Sequence, residues 1–398
     1  MGDFIVQFGE EDLAINFTGE SVRDILVDSQ GRTMIVGYFT AVNGITHKNA
    51  VRLKADGTID SSFNIVDNNI VINKIIHAST GGGYIIVGED RSSLKPYGKG
   101  IWKLRADGTF DSNFVGNFTL GPYGETFDVA IVQGENNLDY IVVGGHITHI
   151  NNLECAGIGL IKETTGELVD ALGNKIGQTN LYILNICVTS ENIYCLGKSS
   201  NKDVFGSFSV LGQRLYTDLK PMLSGVLDNP YQNKGVQQLL AHTNGYLYII
   251  QHYATAGGNY LDTNQNRVIA FNPNTGEYVL TDLKITVDLG DGIFNYEFTI
   301  PESYAKMRED ENGFIHMGAN ATKNRKEYWI NTLCYLILNV NTTDKKVEIN
   351  YIKKLTENVG EHSAIKVPFI ALKNEFNQKL NIGCYTTTSV PWIYKAIN

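Results

Sequence analysis

The chain of 398 residues has 40 glycines, 21 tyrosines and 17 phenylalanines against only 8 prolines, a composition typical of turn-rich all-β proteins. Its net charge of −9, without a block of like charge, argues against nucleic-acid binding through phosphate contacts. No apolar run reaches the length of about 18 residues that a membrane-spanning helix needs, so we expect no membrane insertion.

The strongest sequence feature is a stretch that occurs twice. Residues 49–64 read Asn-Ala-Val-Arg-Leu-Lys-Ala-Asp-Gly-Thr-Ile-Asp-Ser-Ser-Phe-Asn, and residues 100–115 follow the same pattern. Each copy reads as an apolar strand, an Asp-Gly turn and a second short strand, and a return at about fifty residues indicates a repeat architecture. We expect Gly57 and Gly108 to adopt positive φ in these turns, because tight hairpin turns need that conformation.

Two further residues of each copy have predicted structural roles. Asp60 and Asp111 follow the turn glycines, and short Asp side chains at such places usually accept hydrogen bonds from turn amides. Phe63 and Phe114 end the copies and are predicted to wedge between neighbouring units. This structural interpretation is preferred to a catalytic one for the aspartates.

The motif Arg-Leu-Lys-Ala-Asp-Gly-Thr-Ile-Asp-Ser-Ser-Phe at residues 52–63 resembles the delta-60 repeat. In that family, units of some fifty-odd residues form the blades of a β-propeller. The resemblance implies an all-β propeller fold. It implies no chemistry, because the family shares no catalytic motif to transfer to this chain.

A second marker, a short apolar strand closing on glycine, predicts seven units. The markers end at Gly37, Gly88, Gly144, Gly197, Gln251, Gly318 and Gly383. We therefore predict a seven-bladed β-propeller in a single domain, residues 1–398, without a confident helix. The predicted blades are residues 19–64, 65–115, 116–171, 172–217, 218–280, 281–350, and 351–398 together with 1–9.

The two chain ends complement each other. Residues 392–398 read as a third strand with no fourth strand after it, and residues 1–9 continue the pattern of residues 54–64. We predict that Phe4–Phe8 pairs with Trp392–Ala396 and closes the ring, which removes an exposed sheet edge.

The connections between second and third strands, such as residues 38–49 and 145–156, are predicted to be long loops on the face that binds a partner. Aromatic residues on the loops of this face can stack on sugars or anchor a protein interface, or can pack down on the blade tops. The candidate binding residues are Tyr97, Tyr123, Tyr231, Tyr260 and Trp329.

Each predicted first strand carries a polar residue near one shared position. These residues are Arg23, Lys74, Asp128, Asn185, Gln238, Lys306 and Lys366. All seven are predicted to line a central channel and to face water, among them the four cations Arg23, Lys74, Lys306 and Lys366. Either the cations hold an anion or acidic segment there, or they form salt bridges to neighbouring acids, and the second alternative is preferred.

The sequence predicts no metal site and no cofactor. His146 and His149 could chelate a metal only with a third ligand. Residues 262–266 begin like a calcium loop but lack its glycine and glutamate, so a solvated loop is preferred. Cys187 and Cys195 are predicted on adjacent strands as core thiols.

The function predicted from sequence is a non-enzymatic structural or interaction propeller. Within that class we predict a bacteriophage virion protein of the tail or its appendages, which assembles in the host cytoplasm and contacts other virion or surface proteins or a glycan. The alternatives are a bacterial surface or secreted recognition protein, located extracellularly or at the cell surface, and a glycan-processing enzyme. The sequence contains no Gly-x-Ser-x-Gly, phosphate-loop or His-Glu-x-x-His motif.

Overall fold

The described part of the chain is built almost entirely from strands and turns, as predicted. The computed structural model describes residues 17–65, 69–91, 100–121, 124–133, 139–199, 202–210, 214–216, 236–254, 264–282, 284–288, 293–299, 307–309, 312–323, 331–341, 343–354, 365–372, 380–386 and 389–395. These ranges include a short 3-10 helix at Leu172–Lys175. Within them, no helix combines the length and hydropathy needed to cross a membrane.

The described strands form eight sheets, in which most neighbouring strands are consecutive in sequence. Sheet 1 contains β1 (Phe17–Val27), β2 (Thr33–Val42), β3 (Ile45–Thr46) and β4 (Ala50–Leu53). Sheet 2 contains β5 (Ile70–His77), β6 (Tyr84–Asp90) and β7 (Ile101–Leu104). Sheet 3 contains β9 (Thr126–Gln133), β10 (Asp139–Gly145), β13 (Ile158–Lys162) and β14 (Leu168–Asp170). A small sheet beside it contains β8 (Phe118–Leu120), β11 (Ile147–Ile150) and β12 (Leu153–Glu154).

The remaining sheets follow in chain order. Sheet 4 contains β15 (Leu181–Val188), β16 (Asn192–Ser199), β17 (Lys202–Ser209) and β18 (Arg214–Tyr216). Sheet 5 contains β19 (Val236–Ala241), β20 (Leu247–Ala254), β21 (Asn264–Phe271) and β22 (Tyr278–Asp282). Sheet 6 contains β23 (Lys284–Asp288), β24 (Ile293–Thr299), β25 (Arg308–Glu309), β26 (Ile315–Lys323), β27 (Asn331–Val340) and β28 (Val347–Lys354). Sheet 7 contains β29 (Ile365–Leu372), β30 (Leu380–Thr386) and β31 (Ser389–Lys395).

The chain divides into two compact units. The first contains residues 1–61, 257–266 and 281–398, and the second contains residues 62–256 and 267–280. Sheets 1, 6 and 7 therefore belong to the first unit, where β29 contacts both β26 and β1. Sheets 2 to 4, the small sheet and most of sheet 5 belong to the second. The seven-blade count and the single domain stay predictions.

In the second unit the sheets pack face to face in chain order. On β10, Ile141 and Val143 lie in the core shared with sheet 2, whereas Val142 lies in the core shared with sheet 4. Because successive side chains of a strand point to opposite faces, a strand buried on both faces needs an unbroken apolar run. This explains why the marker strands lack the alternation of apolar and polar residues that is typical of a half-exposed strand.

The Asp-Gly turns have the predicted backbone. Gly57 has a φ of 87° and Gly108 a φ of 90°, which confirms their positive φ. The predicted fourth strands after them are wrong in extent, because each is reduced to a single bridge, Leu53 to Ile59 and Leu104 to Phe110. In the second copy the chain turns again at once, since Phe114 N donates to the Asp111 carbonyl at 3.1 Å.

The aspartates of both copies accept hydrogen bonds from nearby residues. Asp111 Oδ1 accepts from Asn113 N at 3.1 Å, which confirms the predicted turn bond. Asp60 pairs with Arg52, whose Nε lies 2.7 Å from Oδ2. The predicted wedging is confirmed for Phe114, which lies in the core between sheets 2 and 3. Phe63 packs edge-to-face on Tyr84 of sheet 2 with ring centroids 6.0 Å apart.

The connections at residues 38–49 and 145–156 were predicted to be loops, and this is wrong. Residues 38–49, named hairpin A here, extend β2 and turn into β3. Residues 146–157, named hairpin B, form β11 and β12 and pair with β8. Hairpin B folds back over its sheet, because its apolar residues Ile147 and Ile150 join the core between sheets 2 and 3.

Residues 1–16 and 396–398 lie outside the described residues. The predicted pairing of Phe4–Phe8 with Trp392–Ala396 therefore stays a prediction.

Candidate functional site

A β-bulge recurs on the first strand of several sheets and places one polar residue after it. The pairing register shifts between Val22 and Asp24 in sheet 1, and a bulge stands at the same place in sheets 2 to 5. We call the residues after the bulge the bulge positions; they are Asp24, Lys74, Asp128, Asn185 and Gln238. The sequence pattern predicts Arg23 in this set. The register corrects this to Asp24, since Arg23 is the bulged residue itself.

The bulge also explains the marker glycines. A Cβ on Gly88 would lie 1.9 Å from the Val71 carbonyl oxygen, and a Cβ on Gly197 would lie 2.2 Å from that of Tyr182. The bulge brings these carbonyls against the second strand, so only glycine fits opposite them in sheets 2 and 4, whereas sheet 5 has Gln251 opposite Val236. In sheet 3 this glycine is Gly145, whose register partner is Thr126, rather than the marker predicted one residue earlier.

Lys74 and Asp128 form a buried ion pair that joins sheets 2 and 3. Lys74 Nζ contacts Asp128 Oδ1, and the two residues are 8% and 4% exposed. Asp128 Oδ2 also accepts from Ile186 N of sheet 4 at 2.7 Å, and Oδ1 accepts from Val129 N at 2.9 Å. One carboxylate thus satisfies donors from three successive sheets. Removing one partner of such a pair typically costs about 3–5 kcal/mol.

The expectation that these cations face water does not hold for the described residues. Lys74 is buried and forms a salt bridge with an acid, which is the alternative preferred from the sequence. Arg23 is only 8% exposed. Asp24 lies 3.8 Å from a guanidinium nitrogen of Arg308. Lys306 and the side chain of Lys366 lie outside the described residues, so the lining of a central channel stays a prediction.

A second buried acid links sheets 2 and 3 farther from the bulges. Glu163 is 2% exposed, and its Oε1 accepts from Lys103 Nζ at 3.0 Å and from Ser79 N at 3.1 Å. Lys103 occupies the place in its repeat that Arg52 occupies in the first copy. Both cations bind buried acids, Lys103 between sheets 2 and 3 and Arg52 within the first copy of the repeat.

Hairpins A and B have the same turn and expose the same kind of side chain. Asn43 and Gly44 have φ of 50° and 75°, and Asn151 and Asn152 have φ of 51° and 65°. Two central residues with positive φ define a type I′ turn, which suits the twist of a β-hairpin. The residue after each turn is a branched aliphatic, Ile45 in hairpin A and Leu153 in hairpin B, and each is 58% exposed.

The backbone of the two hairpins is held by equivalent hydrogen bonds. Gly37 N donates to Asn49 O at 3.0 Å, and Gly145 N donates to Gly157 O at 2.9 Å. Asn49 and Gly157 both have positive φ, 64° and 76°. In hairpin A the amide of Phe39 also donates to Asn49 Oδ1 at 3.1 Å.

Hairpin B has additional supports. Asn151 Nδ2 donates to Gly166 O at 3.0 Å, so the hairpin tip lies beside the turn between β13 and β14. Asn174 of the 3-10 helix donates to Glu154 O and accepts from Ala156 N, both at 3.0 Å. A tip held in this way presents its exposed residue in a fixed position.

The hairpins differ in charge. Lys48 is the only lysine, arginine or acidic residue in hairpin A, and Glu154 is the only one in hairpin B. Both side chains are exposed, and neither has an ion-pair partner among the described residues. Burial lowers the pKa of His47 and of His146, so both imidazoles are neutral at pH 7.

The binding residues proposed from sequence, Tyr97, Tyr123, Tyr231, Tyr260 and Trp329, all lie outside the described residues. The structure therefore does not test whether these residues lie close together. Residues 255–263, with the first part of the calcium-like loop, lie outside them as well.

The remaining sequence candidates have ordinary packing roles. The His146 ring packs on Tyr182 with centroids 5.9 Å apart, and His149 Nδ1 lies 3.2 Å from Thr148 Oγ1. Across the described ranges, no group of three or more His, Cys, Asp or Glu residues is arranged to hold a metal. Cys187 and Cys195 lie on the paired strands β15 and β16, as predicted, and face opposite sides of that sheet because Cys187 pairs with Tyr194.

Sequence reasoning missed the hairpin tips. The signal was present in the dipeptides Asn43-Gly44 and Asn151-Asn152, each flanked by aliphatic residues, which favour type I′ hairpins. The two dipeptides lie inside connections whose length favours the prediction of a loop.

Comparison with a known family agrees with this architecture over one segment. The model described as "Domain of unknown function (DUF5122) beta-propeller" matches residues 30–63, which contain β2, hairpin A and the first Asp-Gly turn. No curated protein matches the chain.

Solved structures with a similar fold cover nearly the whole chain at low identity. Sqt1 of Saccharomyces cerevisiae matches with a TM-score of 0.51 and 9% identity over 96% of this chain and 98% of that chain. Extracellular domains 1–2 of Drosophila Semaphorin 1a match with a TM-score of 0.47 and 9% identity over 98% and 88%. An ancestral GH74 enzyme matches with a TM-score of 0.46 and 10% identity over 95% and 46%. The family match and the fold similarity to Sqt1 support a β-propeller.

Proposed function

We propose that this chain is a non-enzymatic β-propeller that binds another protein through the tips of hairpins A and B. The observation that carries the proposal is the equal exposure of Ile45 and Leu153 at equivalent tip positions. A single exposed aliphatic residue is ordinary on a protein surface. Its recurrence at the same place on two hydrogen-bonded hairpins favours a contact role, because a rigid anchor loses little entropy on binding.

The interior charges support a scaffold role for the rest of the described chain. Asp128, Glu163 and Asp60 are each bound by a lysine or arginine. Asp128 accepts two backbone amides in addition to its lysine. A carboxylate engaged by so many donors is poorly suited to act as a general base. Turnover of any member of a glycan library would contradict the non-enzymatic proposal.

We also propose that the chain is a component of a bacteriophage virion, in a tail or its appendages. The proposed partners are other virion proteins, with a surface protein or a glycan as alternatives. Mass spectrometry of purified particles tests it. Stoichiometric amounts of this chain in particles are expected, and its recovery from a bacterial surface fraction instead would identify a surface recognition protein.

We propose further that the delta-60-like units form seven blades closed by the N-terminal strand. Pairing of Phe4–Phe8 with Trp392–Ala396 would cover the open edge of the last sheet. Deletion of residues 1–10 should then lower the melting temperature by several degrees or more. An unchanged melting curve would contradict closure.

Photo-crosslinking tests the contact role of the tips. A photoreactive phenylalanine analogue is placed at Ile45 or Leu153 in the full chain, and at Tyr278 as a matched control. Tyr278 is also an exposed apolar residue, 38% exposed, but it lies on a strand rather than on a hairpin tip. Crosslinks to another polypeptide from both tips and not from Tyr278 are expected. Equal crosslinking from all three positions, or none from the tips, would overturn the proposal.

A further inference from the structure

The two tips are complementary to each other. Both present an exposed branched aliphatic side chain of equal exposure, Ile45 and Leu153. The single formal charge of hairpin A is positive, at Lys48, and that of hairpin B is negative, at Glu154. Hairpin A, with one exposed aliphatic group and one cation, is complementary in charge to hairpin B, with one exposed aliphatic group and one anion.

We propose that the partner of each tip is a second copy of this chain. Hairpin A of one copy contacts hairpin B of the next, with Ile45 against Leu153 and Lys48 against Glu154. This inference rests on the proposed function, since it names the partner of the same surface.

The contact joins hairpin A to a different hairpin, so one copy can bind two neighbours or exchange both contacts with a single neighbour. Like charges would meet if hairpin A faced hairpin A or hairpin B faced hairpin B. The charges therefore favour contacts of hairpin A with hairpin B over contacts between like hairpins.

A single contact of this size is weak. Two aliphatic side chains and one exposed ion pair bury far less than a standard interface, so we expect a dissociation constant on the order of 100 µM at low salt. Salt should weaken the contact because the ion pair is exposed. Assembly into a larger particle would strengthen it through multiple contacts.

Charge reversal tests the pairing. Sedimentation velocity of the full chain at about 10 µM to 1 mM measures association of the wild type, Lys48→Glu, Glu154→Lys and the double variant. We expect each single reversal to weaken association at least about fivefold, because like charges then meet, and the double variant to regain it. Matched controls are Lys346→Glu, at an exposed lysine of sheet 6, and Glu191→Lys, at an exposed glutamate between β15 and β16; both should associate like the wild type.

Two results would overturn the inference. A wild-type chain that stays monomeric at 1 mM would do so, and so would association that is insensitive to both single reversals. Crosslinks from Ile45 and Leu153 to a different protein, together with a monomeric chain, would leave the proposed function standing and remove only the self-association. Absence of any crosslink from the tips would remove the proposed function itself.

Discussion

Hairpins A and B share a backbone and differ on the surface. Gly37 and Gly145 make the same hydrogen bond to the residue that closes each hairpin, Asn49 or Gly157. The exposed residues beyond the turns differ, with Lys48 after one tip and Glu154 after the other. Residues that repeat therefore hold the fold, whereas exposed residues that vary around a shared aliphatic tip are the ones available to select a partner.

Substitution of Gly157 should lower the free energy of unfolding more than the other substitutions considered below. Gly157 has a φ of 76°, and a Cβ there would lie 2.8 Å from the Leu181 carbonyl oxygen of sheet 4. We expect Gly157→Val to lower the free energy of unfolding by about 3 kcal/mol, measured by urea denaturation. Gly177→Val is the matched control, since Gly177 also has positive φ, 71°, but open space around its Cβ. Equal losses for the two variants would contradict the close packing of hairpin B.

Hairpin B has a cysteine at its base, Cys155, whereas hairpin A contains no cysteine. The thiol of Cys155 is fully buried, and burial raises its pKa to about 12. Alkylation at pH 8 should therefore be at least about a hundredfold slower in the folded chain than in urea, measured by peptide mass spectrometry. Because the folded pKa is raised, this burial stabilises the fold fully below the ordinary pKa of 9.0, and the contribution declines as the pH rises towards about 12. Rapid alkylation of native protein would show that the hairpin base opens.

Asn49 closes hairpin A where hairpin B uses glycine. Asn49→Ala loses the bond from Phe39 N and places alanine at positive φ, so we expect a loss of about 2 kcal/mol in unfolding free energy. Asn49→Gly removes only the amide and should cost about half as much. If alanine and glycine were equally costly, the positive φ would contribute nothing.

The tips themselves should matter least to stability. Ile45→Ser and Leu153→Ser remove exposed side chains, so each should change the unfolding free energy by less than about 0.5 kcal/mol. Both should nevertheless weaken association measured by sedimentation. A large loss of stability in either variant would mean that the tip residue serves the fold instead of a partner.

Much of the scaffold could be predicted because it repeats. The pattern shared by residues 49–64 and 100–115 correctly predicted the turns at Gly57 and Gly108 and the wedging of Phe114. The apolar runs correctly predicted the positions of the central strands, because a strand buried on both faces has an unbroken run of apolar residues.

The rest depends on contacts that a local pattern does not contain. A bulge shifts the register by one residue, so Asp24 could not be told from Arg23. Ile147 and Ile150 alternate with histidine and threonine and resembled a polar loop, although their core contacts fold hairpin B inward. Lys103 and Glu163 are far apart in sequence, and only the packing of sheets 2 and 3 brings them together.

Hydrogen–deuterium exchange in dilute and in associated protein tests the central claim most directly. Peptides containing Ile45 and Leu153 should gain protection on association, because the tips become buried. Peptides containing the β5–β6 turn, residues 78–83, and the Asp-Gly turn of sheet 2, residues 105–109, should not change. Protection confined to those turns, or unchanged exchange at both tips, would contradict the assignment of the tips as the contact surface.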